Sequence, residues 1–390
     1  MDANYDEYRQ RALDALQPIR ERMAQDDSYL QRDRLGEELW QTVCREQFLA
    51  PLVSRDYGGT GGGMFAVAAA LEAVGSSGIF HFLPVLTSVA AVAVELAGSE
   101  QQKTGFLANV AQGEASSCLA VTEKESGFNL FRMQTSAARD GDDYVISGEK
   151  LYISGVNVAS HMLLVARTTS LDEVKATGLT KTYGISLFLI DPRTKGITFE
   201  PVPARGEASL LPHRVTFDNV RVPSSALVGE ENQGTPIMLA AFNPERILFS
   251  AIAVGMSDYC LTKGCEYARE RRVFRDPIGA YQAIQHPLAD AWIRQQAVRR
   301  LAQHAALAFD RREDPMTVSV QANAAKVMAS ELAQRSIDAA LDCYGGKGFD
   351  ERNNLVQLIE LARFMRTSPI SNALILNAIS EYVLGLPRSY

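Results

Sequence analysis

Apolar residues recur at helical spacing from Tyr5 to Gly113, and this segment is punctuated by two loop-like runs, DYGGTGGG at 56–63 and AGSEQQ at 97–102. The glycine-rich run at 56–63 is no dinucleotide fingerprint, because no strand precedes it and its glycines are in the wrong order. The pattern indicates a helical domain over residues 1–117.

Between Cys118 and Val228 the pattern changes to short β-rich runs separated by turn signals such as DGDD and DPRTKG. The runs are YVISG (144–148), HMLLVAR (161–167), GISLFLID (184–191), ITFEPV (197–202) and HRVTFDNVRV (213–222). The helical period returns after Gly229 in long segments with few breakers, which is typical of a four-helix bundle. We therefore predict an α+β chain with an N-terminal helical domain, a middle antiparallel β-barrel or sandwich domain (118–228) and a C-terminal helical bundle domain (229–390).

Composition excludes several kinds of partner. The formal net charge is −7, from 39 basic and 46 acidic residues, and this disfavours a nucleic-acid surface. The five cysteines include one close pair, Cys260 and Cys265, whose spacing fits no CxxC motif, and the five histidines are scattered. We expect reduced thiols and no bound metal.

Neither the first residues nor the most apolar stretch predicts a targeting segment or a membrane span. The first residues carry several acids and no apolar core, so they resemble neither a signal peptide nor a basic transit peptide. The most apolar stretch, Phe80 to Ala97, contains His81, Pro84 and Glu95 and is better interpreted as a buried helix than as a span. A cytoplasmic location is expected.

The segment LAVTEKESGFN at 119–129 combines a strand entry with a glycine-containing loop. It resembles the V-T-E-P-x-A-G-S-D pattern of the acyl-CoA dehydrogenase family, in which a strand and loop pass under a flavin and its pyrophosphate. The resemblance implies that Val121 (through its backbone) and Thr122 face the isoalloxazine ring, with Gly127 and Phe128 near the diphosphate. Phe128 stands where the family has Ser, so backbone N–H groups would bind the phosphate there.

The segment ISGEKLYISGVNVASH at 146–161 is similar to the family's G-x-K-x-W-I-T strand, and its distance from the first segment also matches. In the family an aromatic residue packs on the flavin and a hydroxyl residue reaches flavin N5. The resemblance gives these roles to Tyr152 and Ser154, with Ile153 between them.

Two further segments, YARERRVFRDPIGAYQAIQHPLAD at 267–290 and LDCYGGKGFD at 341–350, resemble family motifs that reach the FAD of a neighbouring subunit. The carried-over residues are Arg271, Phe274, Gln282, Gly345 and Gly346. An Arg–phosphate contact is the chemistry expected of Arg271. Two positions depart from the pattern, since Arg275 replaces a Gly and Asp342 replaces a Gln.

Desaturation of a thioester needs a carboxylate to take the α-proton. The family's usual Y-E-G-T position is occupied by Pro369, so the usual base is missing. Other members place the base in a D-x-E-R motif, which FNPERILFSAIAVG at 242–255 resembles, and this implies Glu245 as the base. Asn243 as N-cap and Pro244 at the first helical position predict that Glu245 lies in the first turn of a helix.

The family's thioester oxygen is held by a backbone N–H at the position of Pro369, which has none. Either the loop shifts so that the Ile370 N–H donates, or the chemistry differs from standard desaturation. The predicted substrate-binding residues are Phe242, Asn243, Arg246, Pro369 and Ile370.

The resemblance covers nearly the whole chain and implies FAD-dependent α,β-dehydrogenation of an acyl-CoA or an acyl-carrier protein, in lipid or secondary metabolism. It also implies a homotetramer or homodimer and an electron acceptor such as electron-transfer flavoprotein. Two alternatives stay open: a flavin-dependent monooxygenase or N-oxygenase on the same fold, which needs no α-proton base, and a degenerate, non-catalytic flavin-binding homologue.

Overall fold

The computed structural model describes residues 5–25, 32–204 and 210–388. Residue contacts divide the chain into two compact units. Unit 1 comprises Met1–Thr42, Gly62–Phe80 and Arg246–Tyr390, and unit 2 comprises Val43–Gly61 and His81–Glu245. The three consecutive domains, with their boundaries after residues 117 and 228, remain a prediction.

Helices and strands follow the predicted order of helical, β and helical segments. The helices are α1 (Tyr5–Gln25), α2 (Arg32–Arg45), α3 (Gly63–Ser76), α4 (Leu83–Ala97), α5 (Glu100–Gln102), α6 (Ala108–Gln112), α7 (Leu171–Ala176), α8 (Gly234–Glu270), α9 (Gln282–Asp310), α10 (Pro315–Tyr344), α11 (Gln357–Met365) and α12 (Asn372–Tyr382). The strands are β1 (Ser117–Ala120), β2 (Ser136–Asp140), β3 (Asp143–Ser154), β4 (His161–Arg167), β5 (Ile185–Ile190), β6 (Ile197–Pro201), β7 (Pro212–Pro223), β8 (Leu227–Val228), β9 (Arg272–Val273) and β10 (Asp276–Pro277).

Unit 2 is built on one eight-stranded sheet with the strand order β6-β7-β3-β2-β4-β5-β8, in which β1 also pairs with β4. Most pairs are antiparallel, as predicted. The pairs β1–β4 and β2–β4 are parallel, so the sheet is mixed. The parallel pairing of β1 is possible because the β2–β3 hairpin supplies the long crossover between β1 and β4.

Unit 1 packs long helices so closely that glycine is required where two of them cross. A Cβ on Gly75 in α3 would lie 2.4 Å from the Ile252 carbonyl oxygen, and one on Gly255 in α8 would lie 2.1 Å from the Glu72 carbonyl oxygen. The Glu72 side chain is 1% exposed and accepts hydrogen bonds from Tyr5 (3.0 Å) and Arg299 (3.0 Å). This carboxylate therefore ties α1 and α9 to α3.

Within the described part of the chain, α8 alone is long and apolar enough to cross a bilayer, and 78% of its most apolar stretch is buried inside the protein. A core helix passes the same test. The stretch from Phe80 to Ala97 forms α4, most of whose residues are buried, as expected.

Candidate active site

The loop after β1 is fixed onto β3, which brings the first two sequence segments together in unit 2. The Leu151 N–H donates to the Thr122 carbonyl (2.8 Å), and Lys150 Nζ donates to the Val121 carbonyl (2.9 Å). Lys150 also pairs with Glu123 at 2.8 Å. The structure therefore places Val121 and Thr122 beside β3, so the two segments that the resemblance assigns to the flavin are neighbours.

The Glu123–Lys150 pair is almost completely buried, with side-chain exposures of 8% and 0%. Burial opposes ionisation of Glu123, but Lys150 and the Gln134 N–H outweigh it, and the pKa of Glu123 is lowered. Burial lowers the pKa of Lys150 to about 8 although Glu123 opposes that shift. Both groups are therefore charged near pH 7, and the pair acts as an internal clamp on the loop.

Tyr152 lies at an irregularity of β3, where the register with β7 shifts between Lys150 and Ile153. Its φ is +61°, unusual for a residue with a side chain, and the side chain is 59% exposed. A β-bulge re-aims a side chain in this way and is common beside functional sites. Ile153 is 2% exposed and belongs to the core, whereas Ser154 is half-buried.

Gly127 and Phe128 lie on the exposed side of the same loop. A Cβ on Gly127 would meet nothing closer than the Thr122 methyl group at 4.0 Å. Phe128 is 55% exposed. Packing within the chain therefore leaves the space above Gly127 open, as a bound group would require.

The third and fourth sequence segments meet in unit 1 around a cavity of about 660 Å³. Arg271, Phe274, Gly345 and Gly346 all line it, and Gln282, the first residue of α9, follows the lining residue Tyr281. The structure thus brings together residues that lie far apart in the chain and that the sequence assigned to one cofactor. A Cβ on either glycine would meet no atom within 4 Å; the positive φ of Gly345 (+56°) favours glycine at that position, whereas no contact within the described chain requires glycine at position 346.

Phe274 lies in the two-residue turn of the β9–β10 hairpin. It is 97% exposed and has a φ of +59°. Arg275 is not among the residues with positive φ, which explains how an arginine replaces the expected glycine without strain. An exposed aromatic residue held in a left-handed conformation is the kind of outlier that suggests contact with another molecule.

The expected position of Glu245 in the first turn of a helix is wrong. The helix α8 begins at Gly234, and Pro244 lies inside it. Burial of apolar side chains on both sides of the proline keeps the helix continuous although one backbone hydrogen bond is lost. Glu245 is 8% exposed, Asn243 is 4% exposed and Phe242 is half-buried, so the helix dipole no longer accounts for the position of this carboxylate.

One face of α10 holds the predicted substrate residues of unit 1. Arg246 donates to Asn323 Oδ1 at 2.5 Å, and Lys326 Nζ donates to the Ile370 carbonyl at 2.6 Å. Lys326 also donates to Asn372 Oδ1 at 2.9 Å and is 2% exposed. Asn323 and Lys326 are three residues apart and therefore share a helix face.

Pro369 and Ile370 lie in the loop between α11 and α12 and are half-buried. The Ile370 carbonyl is held by Lys326, whereas no acceptor in the described ranges receives a hydrogen bond from the Ile370 N–H. This N–H is available to a ligand, as the first of the two alternatives for the thioester oxygen requires, and its role as the donor stays a prediction.

Five polar residues that position or line the site were not predicted from the sequence. These are Glu123, Lys150, Asn323, Lys326 and Lys347. Lys150 was detectable in principle, because a lysine at an inward position of an apolar strand needs an internal partner. The partners of Asn323 and Lys326 lie on other helices, so only the fold reveals them.

Comparisons with known proteins agree with this architecture. Models of the acyl-CoA dehydrogenase N-terminal, middle and C-terminal domains match residues 4–114, 118–220 and 232–379. Acyl-CoA dehydrogenase FadE12 of Mycobacterium tuberculosis is 33% identical over 366 residues, covering 93% of this chain and 92% of the relative.

Two solved structures are also similar. Butyryl-CoA dehydrogenase from Megasphaera elsdenii superimposes with a TM-score of 0.89 at 25% identity, over 98% of this chain and 100% of that one. The FAD complex of PigA superimposes with a TM-score of 0.85 at 25% identity, over 99% and 100%. The predicted fold is confirmed, and the chain belongs to the acyl-CoA dehydrogenase family.

Proposed function

We propose that this protein is an FAD-dependent dehydrogenase that introduces an α,β double bond into an acyl thioester, with Glu245 as the base. The observation that carries the proposal is a buried carboxylate, 8% exposed, at the position that the D-x-E-R resemblance assigns to the base, while Pro369 occupies the alternative position. FAD, when bound, supplies the acceptor for the hydride that leaves the β-carbon.

The residues present fit FAD in both units. In unit 2, Thr122 and the exposed ring of Tyr152 lie on connected backbone, and Gly127 leaves open space above the loop. In unit 1, the cavity offers Arg271 for a phosphate and two glycines that leave room for a close approach. We assign the first group to the isoalloxazine end and the second to the FAD of a neighbouring subunit.

The roles of the chain's own residues follow from elementary chemistry. The Glu245 carboxylate takes the proton from the α-carbon, and the electron pair of that C–H bond forms the new double bond as the β-hydrogen leaves. The Ile370 N–H donates to the thioester oxygen, which gains negative charge as the α-proton leaves. The family resemblance assigns Phe242 and Asn243 to the substrate site, and Arg246 anchors the helix turn through Asn323.

The thioester would be carried either by coenzyme A or by a carrier protein, and electron-transfer flavoprotein or another acceptor would be the redox partner of this protein. We further propose a homotetramer or homodimer in the cytoplasm. The family resemblance supports these proposals, and both thioester carriers enter the experiment below.

In the experiment, the FAD-loaded protein is mixed anaerobically with each member of a panel of acyl-CoAs and acyl-carrier proteins. Reduction is measured as the loss of flavin absorbance (bleaching). Glu245→Gln should keep FAD bound and slow bleaching by at least about 100-fold, because an amide cannot take the proton. Glu114→Gln, an exposed glutamate of unit 2, is the matched control and should bleach like the wild type.

Full activity in Glu245→Gln would show that the base lies elsewhere. A wild-type protein that binds no FAD would instead indicate the degenerate homologue. An FAD-loaded protein that resists every thioester but reacts with oxygen after chemical reduction would indicate the oxygenase.

A further inference from the structure

The cavity of unit 1 is lined by two cationic side chains. Arg271 and Lys347 both line it, and within the described ranges neither has a carboxylate oxygen within 4.0 Å. Asp342 lines the same cavity, so the three side chains sum to one positive charge. Such a cavity favours an anionic ligand.

The ammonium group of Lys347 lies over an aromatic ring, while Asp350, whose low pKa it helps to maintain behind the larger effect of Arg352, pairs with Arg352. Its Nζ lies 5.1 Å from the centre of the Tyr267 ring. Tyr267 is stacked on Tyr344 with ring centres 4.2 Å apart and an interplanar angle of 18°. A ring face attracts an ammonium group without cancelling its charge, so the positive charge stays available to a ligand.

The backbone around Lys347 is anchored on one side and open on the other. A Cβ on Gly348 would lie 2.7 Å from the Leu341 side chain, which shows that this glycine packs against α10. A Cβ on Gly346 would meet nothing within 4 Å. The turn Gly345–Phe349 therefore presents Lys347 next to the open backbone that faces the cavity.

We infer that Lys347 is a second phosphate-binding cation for the FAD diphosphate and offsets the charge of Asp342. This inference rests on the proposed function, because it takes FAD as the ligand of the cavity. The acid at position 342 would repel a diphosphate if Arg271 were its sole counterpart. Together, Arg271 and Lys347 would supply two cations for the two phosphates of the cofactor.

The test is FAD affinity, measured with the apoprotein by quenching of flavin fluorescence. Lys347→Met should weaken binding by about 10-fold, which corresponds to the loss of one charge-assisted hydrogen bond. Lys347→Arg should restore most of the affinity. The wild-type affinity should also fall more steeply with added salt than that of Lys347→Met.

Lys263→Met is the matched control. Lys263 also lies over a tyrosine ring, 5.6 Å from the centre of Tyr259, but it is not part of the cavity lining. This variant should bind FAD like the wild type. Equal losses in Lys347→Met and Lys263→Met would overturn the inference, because they would indicate a general effect on the bundle.

A double variant tests the charge balance between the two side chains. Asp342→Asn, introduced into Lys347→Met, should recover a large part of the lost affinity, since the remaining arginine would then face no acid. If the affinity stays low, Lys347 does not offset Asp342. If Lys347→Met alone binds FAD as tightly as the wild type, the cation has no part in cofactor binding.

The inference and the proposed function fail in different ways. A wild-type protein that binds no FAD refutes the proposed function. A wild-type protein that binds FAD, with Lys347→Met indistinguishable from it, refutes only the role of Lys347.

Discussion

Lys150 shows how a single buried charge shapes the loop below the proposed flavin site. Its ammonium group is held by one carboxylate, Glu123, and one carbonyl, that of Val121. Because the side chain is fully buried, water cannot replace either partner. The geometry of Val121 and Thr122 therefore depends on this ion pair.

We predict that Lys150→Met costs about 3–5 kcal/mol of unfolding free energy, because it leaves the Glu123 carboxylate buried without its cation. The measurement is urea denaturation followed by circular dichroism. The double variant Glu123→Gln/Lys150→Met should recover part of the loss, since a neutral amide oxygen can still accept from the Gln134 or Thr135 N–H group without burying an unpaired charge. Equal stability of Lys150→Met and wild type would mean that solvent reaches the pair.

Site residues with unusual backbone were identified by family resemblance alone. Tyr152 and Phe274 both have positive φ, a conformation that the sequence gives no reason to expect of an aromatic residue. The resemblance assigned each of them to one motif, and their cofactor roles stay predictions, whereas their exposure and backbone geometry became known only with the fold. Glu123 and Lys150 were overlooked because each resembles an ordinary strand or loop charge until its partner is known.

At the scale of elements, α10 holds the loop between α11 and α12, which contains Ile370, in place. Asn372 accepts from Lys326 through its oxygen and donates to Ser330 through its nitrogen at 2.9 Å, so the start of α12 is fixed to α10. The Ile370 carbonyl is held from the same side. The position of the Ile370 N–H thus depends on a helix that contributes no residue to the predicted site.

We predict that Lys326→Met raises KM for the thioester by at least about 10-fold while FAD stays bound, because the Ile370 loop loses its anchor. Steady-state kinetics and the flavin spectrum measure the two effects. Lys326→Arg should retain part of the function by keeping a donor in place. Asn372→Ala tests the same contact from the loop side, should Lys326→Met fold poorly.

An unchanged KM in both Lys326→Met and Asn372→Ala would contradict this positioning role. Loss of FAD without a change in KM would instead indicate a role in cofactor binding.

Elements were predicted well where the pattern was strong and poorly where burial overrides local signals. The strand β2, with the sequence SAARD, lacks β-branched and aromatic residues and forms because the Gly141 turn folds it onto β3. The helix α8 begins at Gly234 although Asn243 and Pro244 have the features of a helix start. In both cases tertiary packing outweighs propensity.

For the whole molecule, the order of helical and β segments was predictable, but the grouping of residues into compact units was not. Unit 1 combines three separate parts of the chain, including α3 and the C-terminal helices. The buried Glu72, with partners from α1 and α9, explains this grouping, because these partners lie 67 and 227 positions away in the chain. No local pattern indicates such a pairing.

We predict that FAD binding and subunit association are linked, if the cavity of unit 1 receives the cofactor of a neighbouring subunit. A ligand shared by two chains stabilises the associated form by mass action. Removal of FAD should therefore lower the mass measured by light scattering after size exclusion, and Arg271→Ala should lower it even at moderate FAD concentration. Arg193→Ala, an exposed arginine of unit 2, is the control.

The same mass with and without FAD, in both wild type and Arg271→Ala, would contradict a shared cofactor. A change in FAD affinity without a change in mass would indicate that each chain binds its own FAD through Arg271.

Pro244 leaves a weak point in α8, the longest of the described helices. Because Pro244 has no N–H, it cannot donate the helical hydrogen bond to the carbonyl of Ala240, four residues earlier. Pro244 also immediately precedes Glu245. Proline inside a helix costs about 3 kcal/mol, so an alanine here would give a more heat-resistant protein on general grounds. Its presence next to the proposed base suggests that heat resistance of the scaffold is exchanged for the local backbone geometry that holds this carboxylate.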